Sequence, residues 1–253
     1  MHKTSVYRFF RNTLKSFTLS EVIITLTIIG TISAITIPKV YQKYQEQVTV
    51  TRLRNVYKEL NKSYQLAIRT FGPPQYWGLQ KSSFGTDKNG KKYGINPSGY
   101  MPYEKMLIGL DAEYVVDKIP AYNTPALHNV VGIVNKINPA YRLKDGTVLF
   151  YPPVVDSANC SLNRKDSDIL KDICGSFNLD TNGAAGPNIV GRDVFVLYFT
   201  KTGIVPLGLK GDSRLIETHC NKDSKEQHNG HACSGWVIYK GNQDYLRKPI
   251  SWD

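Results

Sequence analysis

The sequence predicts an α+β fold. A long N-terminal α-helix, with a membrane-spanning first half, should pack on a C-terminal antiparallel β-sheet domain. Three observations predict it. Residues 22–38 carry no charged side chain. From Leu53 onward, apolar residues recur at three- and four-residue spacing until Gly72-Pro73-Pro74 stops them. Beyond that point, short apolar runs separated by turn residues replace the helical period.

Each element has a local reason. Residues 1–16 form a basic leader holding Lys3, Arg8, Arg11 and Lys15, with no acidic residue before Glu21. Residues 17–38 would make a helix about 33 Å long at 1.5 Å per residue, matching a hydrocarbon core of about 30 Å. Thr and Ser inside it can bond to a carbonyl one turn back, so they cost little. Pro38 removes one helical hydrogen bond and should bend or loosen the element. The apolar stripe Leu53, Val56, Tyr57, Leu60, Tyr64, Ala67 and Ile68 then faces a core, with Arg52, Arg54, Lys58, Glu59 and Lys62 between. The long helix is expected over 17–71.

The rest, 72–253, reads as the globular domain. Residues 72–100, rich in Gly, Pro, Ser and Lys, read as a surface loop. Residues 103–110 suggest a short helix. Ala140-Tyr141-Arg142-Leu143 and residues 147–151 flank Asp145-Gly146, a strong hairpin signal. A second strand pair is expected over 193–199 and 204–207, around Lys201-Thr202-Gly203, and a last strand over 236–239.

The chain has 253 residues and a net charge of +11, of which the leader carries four positive charges. A basic surface attracts anionic lipid, nucleic acid or acidic partners without specifying one; Lys and Arg spread along the whole chain read first as solvated surface. The positive-inside rule keeps the leader cytoplasmic and sends the C-terminal domain across the membrane. Glu21 stands at the head of the apolar run, and an ionisable group there is a functional hypothesis by default. A secretory signal peptide would end in a small-x-small cleavage site, which Thr31-Ile32-Ser33 and Ser33-Ala34-Ile35 fit poorly. A plain anchor gives no reason to keep Glu21. The third reading is cleavage ahead of the apolar run, leaving that run on the product.

Lys15-Ser16-Phe17-Thr18-Leu19-Ser20-Glu21-Val22 closely resembles the prepilin-type cleavage and methylation motif of type IV pilins and type II secretion pseudopilins. The resemblance implies cutting by a prepilin peptidase between Ser16 and Phe17, and N-methylation of Phe17. Glu21 would match the family's invariant glutamate, and Gly30 and Pro38 fall where pilins commonly carry Gly and Pro. The family usually has Gly before the cut; here it is Ser16. The implied protein is a pilin-like filament subunit. It waits in the bacterial inner membrane as a single-pass protein with a periplasmic head. An inner-membrane assembly platform then builds it into a periplasmic or extracellular filament. The physics agrees with this: an amine on Phe17 and the Glu21 carboxylate each cost several kcal/mol alone in oil, and pairing between neighbouring subunits relieves both. Head-to-tail contacts of that kind do not close, so they grow fibres.

Four cysteines, Cys160, Cys174, Cys220 and Cys233, lie in the C-terminal half. An even count in an exported domain suggests disulfides. Three pairings are open; the sequence-local one, Cys160–Cys174 and Cys220–Cys233, closes two short loops worth roughly 3 kcal/mol each. His219-Cys220 and His228-x-x-His231-x-Cys233 can be read as zinc ligands, but the spacing matches no common finger. Export favours a Cys220–Cys233 disulfide with exposed histidines.

Asp180-Thr181-Asn182-Gly183, followed by Asn188 and Asp193, resembles the start of a Ca2+ loop: hard oxygen ligands at alternate positions, then a turn glycine. Its ligands would be Asp180, Asn182, Asn188 and Asp193. It lacks a bidentate glutamate, and an Asx-rich turn bonding its own backbone is the simpler reading. Some pseudopilins hold Ca2+ in such a loop. No Walker loop, HExxH or Gly-x-Ser-x-Gly occurs, which leans toward a structural subunit rather than an anchored enzyme. The rival class is a minor pilin whose basic head captures DNA or a surface.

Overall fold

The structure, a computed structural model, describes residues 18–81, 84–86, 92–94, 103–115, 118–127, 134–151, 154–163 and 168–253. It has the α+β layout that the sequence predicts. Helix α1 (Leu19–Phe71) is one element continuing through Pro38. The chain divides into two units, Met1–Gln45 and Glu46–Asp253.

In the first unit the apolar side chains of α1 are exposed, among them Ile23, Ile24, Leu26, Ile28, Ile29, Ile32, Ile35 and Ile37. The helix is long and apolar enough to cross a membrane. Its hydroxyls bond back into the backbone: Thr25 to Glu21 O at 2.9 Å, Thr27 to Ile23 O at 2.8 Å, Thr31 to Ile28 O at 2.9 Å and Thr36 to Ile32 O at 2.8 Å. The polar cost of those residues is thereby met inside the helix.

In the second unit, α1 buries Val50, Leu53, Val56, Leu60, Ser63, Tyr64 and Ala67, with Tyr57 and Ile68 partly buried beside them. Strands β1 (Phe84–Thr86) and β2 (Lys92–Gly94) pair antiparallel within the expected surface loop. Asn89-Gly90 stands between them in the sequence, a hairpin signal inside a stretch expected to be loop. Helix α2 (Tyr103–Met106) is shorter than the expected 103–110.

The main sheet holds β3 (Ala112–Tyr114), β4 (Tyr122–Pro125), β5 (Val134–Leu143), β6 (Val148–Tyr151), β7 (Val154–Val155), β8 (Ile173–Asp180), β9 (Val194–Thr200) and β10 (Ile204–Pro206). Its path runs β10-β9-β8-β6-β5-β3, with β4 on β5 and β7 on β8, all antiparallel. The β5–β6 hairpin sits where Asp145-Gly146 predicts it, and a bulge between Pro139 and Tyr141 shifts its register. Strand β9, between edge strand β10 and β8, is buried on both faces: Phe195, Leu197 and Phe199 join the cluster under α1, while Val194, Val196 and Tyr198 join a second cluster opposite. Edge strand β10 is covered by α1. Tyr57 Oη donates to Ile204 O at 3.2 Å, the Ile204 N–H donates to Asn61 Oδ1 at 3.0 Å, and Gln65 donates to Thr202 O.

Residues 236–239 correct the sequence reading. They are not a strand but part of helix α4 (Cys233–Lys240), which follows the one-turn helix α3 (Ile216–His219). Val237 and Ile238 are β-branched and read locally as strand, but tertiary context overrides that propensity. Gly235 N–H donates to Leu207 O at 2.7 Å. Gly208, at φ 80°, lets α4 approach so closely that a Cβ there would lie 1.9 Å from Ala232 O. Gly241 ends α4 in the left-handed region, its N–H donating to Val237 O at 3.1 Å. Arg54 of α1 takes the last carbonyls, Nε to Ile238 O at 2.8 Å and Nη2 to Tyr239 O at 3.3 Å.

Candidate functional site

The head of the apolar helix is one candidate site. Ser16 and Phe17 lie outside the described residues. Glu21 is not the unpartnered acid that its lone charge suggests. Its Oε2 accepts the Thr18 N–H at 2.8 Å and the Thr18 hydroxyl at 2.8 Å, while the Glu21 N–H reaches Thr18 Oγ1 at 3.3 Å. This is a reciprocal capping box, and Thr18-x-x-Glu21 is its sequence signature, a signal that the sequence reading passed over. The cap fixes one carboxylate oxygen on the donor groups of its own helix end. Gly30 has nothing within 4 Å of where a Cβ would stand, so that face of the helix is open.

The β8–β9 connection is the second candidate. It gathers Asp180, Asn182, Asn188 and Asp193 onto one turn, because Asp180 pairs with Val194 across the hairpin and the Thr181 N–H donates to Asp193 O at 3.0 Å. Asp180 and Asp193 are 0% and 2% exposed. Backbone N–H groups hold both carboxylates: Asn182 to Asp180 Oδ1 at 3.0 Å, Asn188 to Asp193 Oδ2 at 2.8 Å and Ile189 to Asp193 Oδ1 at 2.7 Å. The Asn182–Asp180 bond is the Asx-turn of the simpler reading, while Asp193 reaches back to N–H groups four and five residues before it. The Tyr122 hydroxyl of β4 also donates to Asp180 Oδ2, at 3.0 Å; no sequence pattern links it to a loop 58 residues away.

The loop is electrostatically costly as it stands. Burial pushes the Asp180 carboxyl up to about 7, and the Asp193 charge adds to the rise, against the donated N–H groups of Asn182 and Gly183 and the Tyr122 hydroxyl. Burial likewise raises Asp193, opposed by the Asn188 and Ile189 N–H groups and by Arg192. The amide oxygens Asn182 Oδ1 and Asn188 Oδ1 are buried and accept no hydrogen bond among the described residues. Two buried acids and two orphaned amide oxygens are an all-oxygen donor set, which suits a hard divalent cation. These are atom types that Ca2+ takes; no group of three or more His, Cys, Asp or Glu occurs in metal-binding position among the described residues.

The third feature is the disulfide-bonded end. Cys160–Cys174 and Cys220–Cys233 are both closed. Of the histidines expected to be exposed, His228 is, while His219 and His231 are half-buried. Arg214 Nη1 lies 3.4 Å from His231 Nδ1, a contact that the sequence reading did not anticipate.

A scan against protein-family models, a search of the curated proteins and a search of the solved structures found no match to this chain.

Proposed function

We propose that this chain is a structural subunit, pilin or pseudopilin, of a type IV pilus-like or type II secretion filament. The observation that carries the reading is a membrane-length run of exposed apolar side chains led by a single carboxylate, on a helix whose later part is buried in an α+β unit. The prepilin motif over residues 15–22 supplies the chemistry. A prepilin peptidase cuts between Ser16 and Phe17, and Phe17 becomes a methylated amine in the inner membrane. That amine and the Glu21 oxygen not taken by Thr18 then attract one another between neighbouring subunits, where the oil around them strengthens the pairing. The globular unit stays periplasmic, and the assembly platform draws the subunit into the filament. Within this reading, Asp180, Asn182, Asn188 and Asp193 would hold Ca2+, which would supply positive charge to two buried acids and coordination to two unused amide oxygens.

N-terminal mass analysis of the native protein tests the reading. Residues 1–16 should be missing and Phe17 should carry one added methyl. A native chain that still begins at Met1 refutes it. Glu21→Ala should insert into the membrane yet fail to enter filaments; normal incorporation removes the proposed role of the carboxylate.

A further inference from the structure

The histidines of the Cys220–Cys233 loop have no part in filament assembly as described above, yet they are held in a definite arrangement. The rings of His228 and His231 lie 5.1 Å apart between centroids, tilted by 54°. Arg214 Nη1 lies 3.4 Å from His231 Nδ1. A guanidinium has no acceptor and stays charged, so Nδ1 is the lone-pair nitrogen of a neutral ring and Nε2 carries the proton. His219 O accepts the Gly230 and Ala232 N–H groups at 2.7 and 3.2 Å, which holds it beside His231; Arg214 and His219 act electrostatically on both His228 and His231, and Arg214 is the standing positive charge of the group.

Arg214 is half-buried and forms no ion pair among the described residues. Asp212, two positions away, is buried with its carboxylate spent on backbone: Oδ2 accepts the Gly208 N–H and Oδ1 the Arg214 N–H, each at 3.0 Å. Glu226 acts on His228 with the opposite sign, and Glu217 Oε1 accepts from the Ser251 hydroxyl at 3.0 Å. A half-buried guanidinium without a carboxylate is unusual, since burying charge costs free energy unless it is paired. The sign of the charge decides against a metal ion, because a cation at His231 Nδ1 would meet the guanidinium already there.

We propose that Arg214, His219, His228 and His231 form a binding site for a small oxyanion of the phosphate or sulfate class. Arg214 offers a planar fork of donors that matches two oxygens of one anion. His231 Nε2–H is a neutral donor, and the exposed His228 adds a positive charge when protonated. Burial first, then Arg214 and His219, keep the His228 pKa below the ordinary 6.5 when no anion is bound, against Glu226. A bound anion favours the protonated ring, so binding tightens as pH falls.

The test uses the full chain in neutral detergent micelles with 13C-labelled histidine. Sodium sulfate, whose charge is constant between pH 5.5 and 8, is titrated against sodium chloride at equal ionic strength. Saturable shifts of the His228 and His231 resonances are expected, with binding about tenfold tighter at the lower pH, equivalent to one pKa unit on His228. Arg214→Gln should abolish saturation. His228→Asn, at an exposed position, should keep the Arg214-dependent binding and lose its pH dependence. Shifts that chloride reproduces, saturation that survives Arg214→Gln, pH dependence that survives His228→Asn, or saturation by zinc chloride but not by sulfate would each overturn the proposal.

Discussion

Acid should weaken the globular unit through His231 in particular. Burial, the Arg214 guanidinium and the neighbouring His228 and His219 rings lower its pKa from 6.5 to about 3. With the native value depressed, the unfolded chain takes the proton first as pH falls. Stability is therefore full above 6.5 and drains away until about 3. Between pH 7.5 and 5 the unfolded chain gains this proton over about 1.5 pH units, a loss of about 2 kcal/mol. The perturbation is His231→Gln, whose amide oxygen can still accept from Arg214 but does not titrate. Urea unfolding of the full chain in neutral micelles can be followed by tryptophan fluorescence, since Trp77, Trp236 and Trp252 all lie in the second unit. Cationic buffers, bis-tris and piperazine, keep oxyanions away from Arg214. Asp180, raised to about 7, titrates in the same window with the opposite sign, but it is common to both proteins and cancels in the comparison. The wild type should lose about 2 kcal/mol more than the variant on going from pH 7.5 to 5. Equal losses would show that His231 is not held neutral, and the reasoning fails.

Other substitutions probe the rest of the fold. Tyr64 donates to Thr200 O at 2.7 Å from a fully buried site and packs edge-on against Trp77 at 5.4 Å. Tyr64→Phe should cost about 1–3 kcal/mol by leaving that carbonyl unpaired, and Tyr64→Ala about 3–5 kcal/mol, both read by urea unfolding. Replacing Cys220 and Cys233 by Ser should lower stability by roughly 3 kcal/mol; an unchanged unfolding midpoint would show that the loop is already fixed by its neighbours. Calcium chloride should raise the thermal unfolding temperature relative to a chelator, and Asn188→Ala should shrink that difference. Identical melting with and without Ca2+ removes the cation from the 180–193 loop.

What was legible in the sequence depended on how local its cause was. The stripe from Leu53 to Ala67 encodes its own burial, because one helical period places those residues on one face. Asp145-Gly146 encodes its hairpin for the same reason. The four candidate Ca2+ ligands fall within one turn, so a reading of residues 180–193 could find them, whereas Tyr122 reaches them only through the sheet. Strand β5 begins at Val134, six residues before the expected Ala140, and a bulge between Pro139 and Tyr141 lets it run past the proline. Helix α4 was illegible for a related reason. Its helical state depends on Gly208, Gly235 and Arg54, which are close in space and distant along the chain. Two unread signals lie in plain view: Thr18, in its capping spacing to Glu21, and the turn dipeptide Asn89-Gly90.

The two arginines at the ends of the globular unit have a consequence for synthesis. Arg54, near the start of this unit, needs the carbonyls of Ile238 and Tyr239. Glu46 needs Arg247, which grips both of its oxygens at 2.7 Å. A ribosome making this chain reaches those partners only 184 and 201 residues after Arg54 and Glu46. A nascent chain stopped before residue 233 would therefore carry the inner stripe of α1 with its closing contacts missing. Loss of residues 233–247 should then be far more damaging than their number implies, and quality-control proteases would meet unfinished chains with Leu53 and Leu60 insufficiently covered.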